Sequence, residues 1–459
     1  SVHELRLKIE QAEAQRLQPH HIQSFFVEAF KHLGGQIRTR EEGRWEVLHV
    51  PTAIRERDRQ IGKSTPVQKK YERVCFDKTL INQQPVAAFV SPGHPLLECV
   101  ISLIREKHGH LMRQGAVLVD DTDDGTDLTP LFLLQHSVQD GRQNSTGKSH
   151  IISEKLQFAA IHADGTVTNA GIAPHLNLRP ITPDEMQEIE SVLSADWLTG
   201  DLEKTVVQFA AVEMAQTHLS EVKARRLPEI DKVETEVKAR LKKEINHWDS
   251  RAFELKEEER AGKKTRLNWQ NAQRRAEDLA ERLQRRMQVL EQERFISSQP
   301  PQVRGGMLVV PSGLLVKHQD GSVASGFSAD PEARRKIELA AMDAVMVVER
   351  SLGNSPSDVS AQKIGYDIAS YDPNKDRLRF IEVKGRIAGA DTVMLTRQEV
   401  ITSLHEPEKF ILALVEVTDG FAGEPRYLCG SLDTREPPFE QNAIQFNLKR
   451  LLERAEAPR

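Results

Sequence analysis

Residues 379–386 read RFIEVKGR, a short apolar run that carries two oppositely charged side chains in its centre. Glu382 and Lys384 are two positions apart, so on a β-strand both side chains project from the same face. A further acid, Asp367 in the strand-like run GYDI, lies 15 positions before Glu382. Two carboxylates can hold a divalent ion that keeps water in its shell, and a lysine beside them can face that water or a phosphate. The pattern predicts a site for metal-assisted phosphate chemistry on neighbouring strands.

This layout, an Asp on one strand and Glu-x-Lys on the next, resembles the core of the PD-(D/E)xK nucleases. The triplet alone is a weak signal, because 29% of the residues are charged. Its context is stronger, since charged side chains inside an apolar strand are unfavourable unless they pair or bind a metal. The alternative interpretation is a solvent-facing salt bridge on an edge strand.

Length and composition set the scale of the molecule. At ~150 residues per domain, 459 residues predict about three domains. The net charge of -5 does not indicate a general attraction to nucleic acid, so any basic surface must be local. Three scattered cysteines without a CxxC pair argue against a disulfide framework or a zinc site.

With no apolar run of ~18 residues and no visible signal peptide, we expect a cytoplasmic protein without a membrane partner. The chain begins with Ser1 rather than Met, so whether it is a piece of a longer protein stays open.

The expected fold class is a multidomain α+β protein, with a mixed α+β accessory domain over residues 1–182. A helix over residues 1–33 is predicted by an apolar face that includes Phe26 and Phe30, and Gly34 ends it. Short alternating runs then predict strands, and Pro95 opens a further helix.

Residues 183–297 predict a long antiparallel helical hairpin, or coiled-coil arm, with its tip at Gly262. Pro228 is expected to break or start a helix. The basic side chains of the arm suit a solvated helix face, or alternatively a lever that contacts DNA phosphates or a partner protein. The two heptad seams consist of Leu241, Ile245, Trp248, Ala252 and Leu255, and of Trp269, Ala272, Ala276, Leu279 and Leu283.

Residues 298–459 predict a restriction-endonuclease-like α/β domain with one central sheet. Residues 331–417 of this domain resemble the NO VEIN C-terminal type of domain, a relative of the PD-(D/E)xK nucleases. The resemblance rests on several motifs in the same order. They are Glu338…Glu349-Arg350, Gly365-Tyr366-Asp367-Ile368, Arg379–Arg386 and Leu395-Thr396…Glu399.

The resemblance implies roles for individual residues. Asp367 and Glu382 would be ligands of Mg²⁺ or Mn²⁺, and Lys384 would orient water or stabilise charge. Glu349 would be a helix-borne catalytic acid, with Glu338 as the alternative. Contacts to nucleic acid are implied for Gln362, Lys363 and Arg386.

The sequence departs from the family pattern at one point, because Tyr366 precedes Asp367 where the nucleases have proline. Nuclease-like domains also occur as inactive DNA-binding folds. Two functions therefore stay open: a Mg²⁺-dependent endonuclease, and a module that binds DNA or protein without catalysis.

The whole chain is similar to the region that follows the motor in bacterial Swi/Snf-type (RapA-like) helicases, including those of antiphage systems such as DISARM. This resemblance implies DNA and a helicase or ATPase motor, in the same or a partner chain, as partners. The segments that carry it are Leu17-Gln18-Pro19, Glu72–Asp77, Pro92–Leu96 and Asp140-Gly141-Arg142.

Other motifs are excluded by their spacing. Gly62-Lys63-Ser64-Thr65 and Gly141…Gly147-Lys148-Ser149 do not have the glycine spacing of a P-loop, so no ATPase motif is present. The paired histidines lack partner ligands at a recognisable spacing, and the acidic run 120–127 lacks the EF-hand pattern.

Overall fold

The structure is a computed structural model that describes residues 19–459 except 63–64, 124, 144–146, 264–267, 316–330, 361–364, 388, 419, 434–436 and 438–441. The described residues fold into two compact units. Unit 1 comprises those of Ser1–Leu131, Ala170–Ala195 and Gly305–Arg459, and unit 2 those of Phe132–Asn169 and Asp196–Arg304. The division into domains 1–182, 183–297 and 298–459 stays a prediction.

The amino-terminal part of unit 1 is built around a small four-stranded sheet. Its helices bury apolar faces against that sheet, and Phe26 and Phe30 are fully buried in the shared core, as their spacing predicts. Gly34 takes a left-handed conformation (φ 84°) directly after the first helix, where glycine is favoured. The elements are α1 (Pro19–His32), β1 (Gln36–Thr39), β2 (Arg44–His49), α2 (Thr52–Ile61), β3 (Tyr71–Cys75), β4 (Ala88–Phe89) and α3 (Pro95–His108).

A second group of elements in unit 1 joins distant parts of the sequence. Strand β5 (Ala116–Asp120) pairs in parallel with Met307–Pro311 and antiparallel with β9 (Arg179–Pro180). The apolar run Leu314–Val316 predicts a strand, but residues 312–315 are helical, and Val316 lies outside the described residues. Leu314 and Leu315 are both buried. In a strand with one solvent-exposed face, one of two successive side chains would be exposed instead. The remaining elements are α4 (Leu111–Gln114) and α5 (Pro183–Leu193).

Unit 2 combines long strands with long helices. Buried residues of the strands, such as Leu134 and Ile161, pack against Val206 and Met214 of the helices. The elements are β6 (Thr129–Gln143), β7 (Ser149–Ile161), β8 (Val167–Gly171), α6 (Leu202–Phe209), a π-helical turn (Ala210–Met214), α7 (Ala215–Arg260), α8 (Trp269–Arg294), β10 (Ser297–Ser298) and β11 (Gln302–Pro311), of which β8, β6 and β11 also extend into unit 1.

Helices α7 and α8 lie side by side and run in opposite directions. Leu255 packs with Ala272 near one end, and Arg294 pairs with Asp231 at the other, with 2.6 Å between Nη2 and Oδ1. Pro228 lies inside α7, so the expectation that it breaks or starts a helix is wrong. The ring is on the exposed side of the helix, and one lost hydrogen bond is offset by the buried neighbours Val222 and Ile230.

The carboxy-terminal part of unit 1 has a central sheet of order β12-β13-β14-β16-β17, with β18 also paired to β16. Strand β14 pairs antiparallel with β13 and parallel with β16. One face of the sheet is covered by α9, and the other packs against residues from β15, α10 and α11. The elements are α9 (Pro331–Ser351), β12 (Ser355–Asp358), β13 (Ile368–Asp372), β14 (Arg377–Ile387), β15 (Thr392–Thr396), α10 (Arg397–His405), β16 (Phe410–Thr418), β17 (Phe421–Ala422), β18 (Arg426–Cys429), β19 (Ala443–Asn447) and α11 (Leu448–Arg454).

Strand β15 lies outside the central sheet, which differs from the single sheet expected from the sequence. It pairs with β19 in a separate two-stranded sheet. Its place beside β14 is taken by β16, whose residues Phe410–Val417 pair with Phe380–Ile387.

A search of the described helices found none with the length and low polarity that crossing a membrane requires.

Candidate functional site: a carboxylate–lysine cluster on one face of the central sheet

The alternation of β14 decides which side chains share a face. Ile381 packs in the core beneath α9 with Ala341 and Val345. Successive strand residues point to opposite faces, so Glu382 and Lys384 lie on the face away from α9.

Strand pairing brings Asp367 to the same face. The Asp367 backbone N–H donates to the Ile381 carbonyl oxygen at 2.9 Å, and Ile368 pairs with Ile381. This register puts Asp367 opposite Glu382, and cross-strand neighbours project from the same side of a sheet. The Asp367 carboxylate also accepts a hydrogen bond from the Val383 backbone N–H, with 3.0 Å between N and Oδ2.

Lys384 is held by two carboxylates. Its Nζ lies 2.7 Å from Glu382 Oε1 and 3.1 Å from each oxygen of Glu399, which is on α10. The Lys384 side chain is 16% exposed, and those of Glu382 and Glu399 are 5% and 10% exposed. Asp367, Glu382, Lys384 and Glu399 are called the carboxylate–lysine cluster below.

Protonation in the cluster follows from burial and crowded charge. Burial, together with the nearby carboxylates of Asp367 and Glu399, raises the pKa of Glu382 well above its usual range, although Lys384 opposes this shift. For Lys384, burial acts to lower the pKa, but Glu382, Glu399 and Asp367 outweigh it, and the pKa is raised. The lysine therefore keeps its proton, and Glu382 is harder to ionise than an exposed glutamate.

Glu399 is the member of the cluster to which the sequence analysis assigned no role. Glu399 and Thr396 form a capping box at the start of α10: the Glu399 N–H donates to Thr396 Oγ1 at 3.2 Å, and the Thr396 N–H donates to Glu399 Oε2 at 3.1 Å. The sequence signal for this capping box is Thr-x-x-Glu before an apolar run. The contact with Lys384 has no local signal, because α10 and β14 are separate elements.

Glu349 lies on the other face of the central sheet. Its carboxylate is fully buried and accepts from the Tyr427 hydroxyl at 3.0 Å and from Asn354 Nδ2 at 2.9 Å. Arg379 Nη2 lies 3.4 Å from the same carboxylate. The structure therefore brings Asp367, Glu382 and Lys384 together but puts Glu349 in a different network. Glu338, its alternative, is exposed.

The three residues implied in nucleic-acid binding are only partly described. Gln362 and Lys363 lie outside the described residues. Arg386 follows Lys384 on the same strand face, and its Nη1 donates to the Gly385 carbonyl oxygen at 2.8 Å. Contact with nucleic acid stays a prediction for all three.

The cluster fits a magnesium ion in its donor chemistry. Asp367 and Glu382 offer the hard carboxylate oxygens that Mg²⁺ prefers, and proteins often hold this ion through only one or two carboxylates with water and substrate phosphate. Burial and, after it, crowding by Asp367 raise the pKa of Glu382, and a cation would relieve the repulsion between the two carboxyl groups. Among the described residues, no three His, Cys, Asp or Glu side chains are grouped to hold a metal ion.

Comparison with known proteins adds one finding to this geometry. No curated protein matches the chain. Residues 337–428 match the family model described as Protein NO VEIN, C-terminal, and this segment contains the whole carboxylate–lysine cluster and Glu349.

Proposed function

We propose that the carboxy-terminal part of the chain binds DNA and hydrolyses phosphodiester bonds with Mg²⁺ or Mn²⁺. The observation that carries the proposal is the meeting of Asp367, Glu382 and Lys384 on one sheet face, within a segment that matches the NO VEIN family model. Two acids and an ammonium in this arrangement suit the charge that develops when water attacks a phosphate.

Each residue of the chain has a separate part in the proposed reaction. Asp367 and Glu382 would hold the ion, which when bound lowers the pKa of water and polarises the phosphate. The Lys384 ammonium lies 2.7 Å from Glu382 and would face the phosphate oxygens, where it offsets the negative charge that grows. The bond from the water oxygen to phosphorus forms as the bond from phosphorus to the leaving oxygen breaks, and the proton that the water loses to solvent balances the one that the leaving oxygen takes up.

A second candidate function is a module that binds DNA or protein without catalysis. The observation in its favour is that Lys384 is held by two nearly buried carboxylates, Glu382 and Glu399. In that arrangement the ammonium is already neutralised, and nucleic acid would be gripped without being cut.

We also propose that the chain acts beside a helicase-type motor in bacteria, in antiphage defence. The support is the resemblance of short segments such as Glu72–Asp77 and Pro92–Leu96 to helicase-associated regions. A pull-down of the chain with a motor expressed separately would test this association directly.

The nuclease proposal is tested by nicking of supercoiled plasmid and cutting of single-stranded DNA in Mg²⁺, in Mn²⁺ and in EDTA. We expect Lys384→Ala and Glu382→Gln to lower the metal-dependent rate by roughly 10²–10³-fold, as loss of one electrostatic group in an active site does. Lys375→Ala is the control, because Lys375 is 57% exposed in a turn outside the cluster. Equal cutting by wild type and both cluster variants contradicts the assignment of the site. DNA binding without any cutting by the wild type favours the second candidate.

A further inference from the structure

We infer that Glu399 is a positioning residue that holds the Lys384 ammonium against Glu382 and thereby keeps it from a nucleic-acid phosphate. The inference deepens the proposed function and concerns how the site is regulated. In the proposed site, α10 would control whether Lys384 is available to substrate.

Glu399 is itself fixed in place by the start of α10. Its Oε2 accepts from the Thr396 backbone N–H at 3.1 Å, and its own N–H donates to the Thr396 hydroxyl. The Glu399 carboxylate therefore has two partners, the Thr396 backbone N–H at the start of the helix and Lys384 Nζ on β14. A movement of α10 would necessarily change the contact with Lys384.

The excess of carboxyl groups over ammonium groups in the cluster opposes the binding of a phosphate to Lys384. The cluster contains three carboxyl groups, on Asp367, Glu382 and Glu399, for the one ammonium of Lys384. An ammonium has three N–H donors, and three carboxylate oxygens, one of Glu382 and two of Glu399, already lie within 3.1 Å of Lys384 Nζ. A phosphate must then displace Glu399 from Lys384, against the repulsion of the remaining acids.

Glu399→Gln removes the negative charge at position 399 but keeps the helix cap. Glutamine also serves at this position of a capping box, so α10 keeps its start while Lys384 loses one charged partner. The chain offers a matched control in Glu185, which forms the same capping box with Thr182 at the start of α5 and pairs with Arg179 at 2.6 Å. Glu185→Gln removes a charge from the same kind of cap without changing the surroundings of Lys384.

The first measurement is the rate at which acetic anhydride acylates Lys384, followed by mass spectrometry of its peptide. Acylation needs the Nζ atom free of its hydrogen bonds to the carboxylates, and a hydrogen bond to a neutral amide is weaker than one to a carboxylate, a difference of about tenfold in the population of free Nζ. We expect Lys384 to react about tenfold faster in Glu399→Gln, and at the wild-type rate in Glu185→Gln. Glu399→Asp retracts the carboxylate by one methylene, and we expect an intermediate rate. A Lys384 rate in both Glu399 variants equal to that of the wild type overturns the inference.

The second measurement is binding of a fluorescent single-stranded oligonucleotide, followed by anisotropy in EDTA so that no cutting occurs. We expect Glu399→Gln to bind about tenfold more tightly than wild type or Glu185→Gln, because a freed ammonium gains a phosphate and an acid is removed. Unchanged or weaker binding in Glu399→Gln shows that Glu399 does not restrain substrate binding. If Lys384 acylation rises but no form of the protein binds or cuts DNA, the hold of Glu399 stands and the proposed function fails.

Discussion

Glu382 on β14 and Glu349 on α9 are two buried acids on opposite faces of the central sheet, and their surroundings differ in kind. Glu382 is crowded by the carboxyl groups of Asp367 and Glu399, and a single ammonium serves the group. Glu349 is surrounded by donors instead, from Arg379, Tyr427 and Asn354. A cation can replace the proton that crowded carboxyl groups retain, whereas an acid surrounded by donors stabilises the fold.

The donor network predicts that Glu349 matters for stability. We expect Glu349→Ala to lower the free energy of unfolding by about 3–5 kcal/mol, because it leaves the buried Arg379 guanidinium without its carboxylate partner. Tyr427→Phe removes one hydrogen bond to a charged group and should lower it by about 1.5–3 kcal/mol. Urea unfolding followed by far-UV circular dichroism measures both. A Glu349→Ala protein as stable as the wild type would show that the network does not stabilise the sheet.

At the scale of elements, α9 lies close against β14 at Gly385. A methyl group added there would lie 2.9 Å from Ala341 Cβ and 3.0 Å from the Ile337 carbonyl oxygen. Glycine at this position lets the helix rest on the strand that carries Glu382 and Lys384. The RFIEVKGR stretch therefore combines charged residues on one face with close packing on the other.

Gly385→Ala should overpack this contact and lower the free energy of unfolding by about 1–3 kcal/mol. In the Ala341→Gly protein, Gly385→Ala should lower the free energy of unfolding by less than it does in the wild type, because the clash with Ala341 Cβ is gone. Part of the loss should remain, because the clash with the Ile337 carbonyl oxygen is unchanged. Urea unfolding of the four proteins forms a double-mutant cycle. Strict additivity of the two substitutions would mean that Gly385 and Ala341 do not share this contact.

At the scale of the whole molecule, each unit contains a buried histidine that is hard to protonate. Burial, with added effects from Arg397 and His175, lowers the pKa of His21 in unit 1 to about 4. Burial and the adjacent His136 lower the pKa of His218 in unit 2 to about 4. The Nδ1 atoms of His136 and His218 are 3.1 Å apart, and Ser153 Oγ is 2.7 Å from His218 Nε2.

These shifts predict that acid destabilises the protein. Unfolded histidine has a pKa near 6.5, so below that pH the unfolded chain binds protons that the folded chain does not, and stability falls from about pH 6.5 towards about pH 4. For His218 we expect a loss of about 1–2 kcal/mol between pH 7.5 and pH 5. Lys155, Glu221 and Arg225 also influence His218, and the attraction of Glu221 opposes the shift.

Urea unfolding at the two pH values, followed by tryptophan fluorescence, checks this expectation. Trp197, Trp248 and Trp269 all belong to unit 2, so the signal reports mainly on that unit. His218→Gln should show a smaller difference between the two pH values than the wild type. His21→Gln, in unit 1, is the matched control and should leave the fluorescence transition as pH-dependent as in the wild type. An equal pH effect in His218→Gln and wild type would contradict the assignment.

Local chemistry was enough to predict several features from the sequence. Alternation in RFIEVKGR put Glu382 and Lys384 on one face of β14. The apolar spacing of Phe26 and Phe30 indicated a buried helix face. Each of these depends on residues a few positions apart, whose geometry the backbone itself fixes.

Only the tertiary structure decided which partners these side chains contact. The pairing of Asp367 with Glu382, the contact of Lys384 with Glu399, and the separation of Glu349 onto the opposite face all depend on strand register and helix placement. Pro228 remained inside α7 because packing outweighed a local preference. The sequence by itself therefore determined which side chains share a strand face, whereas long-range packing determined the partners of each charge, since electrostatic contacts form between elements that are far apart along the chain.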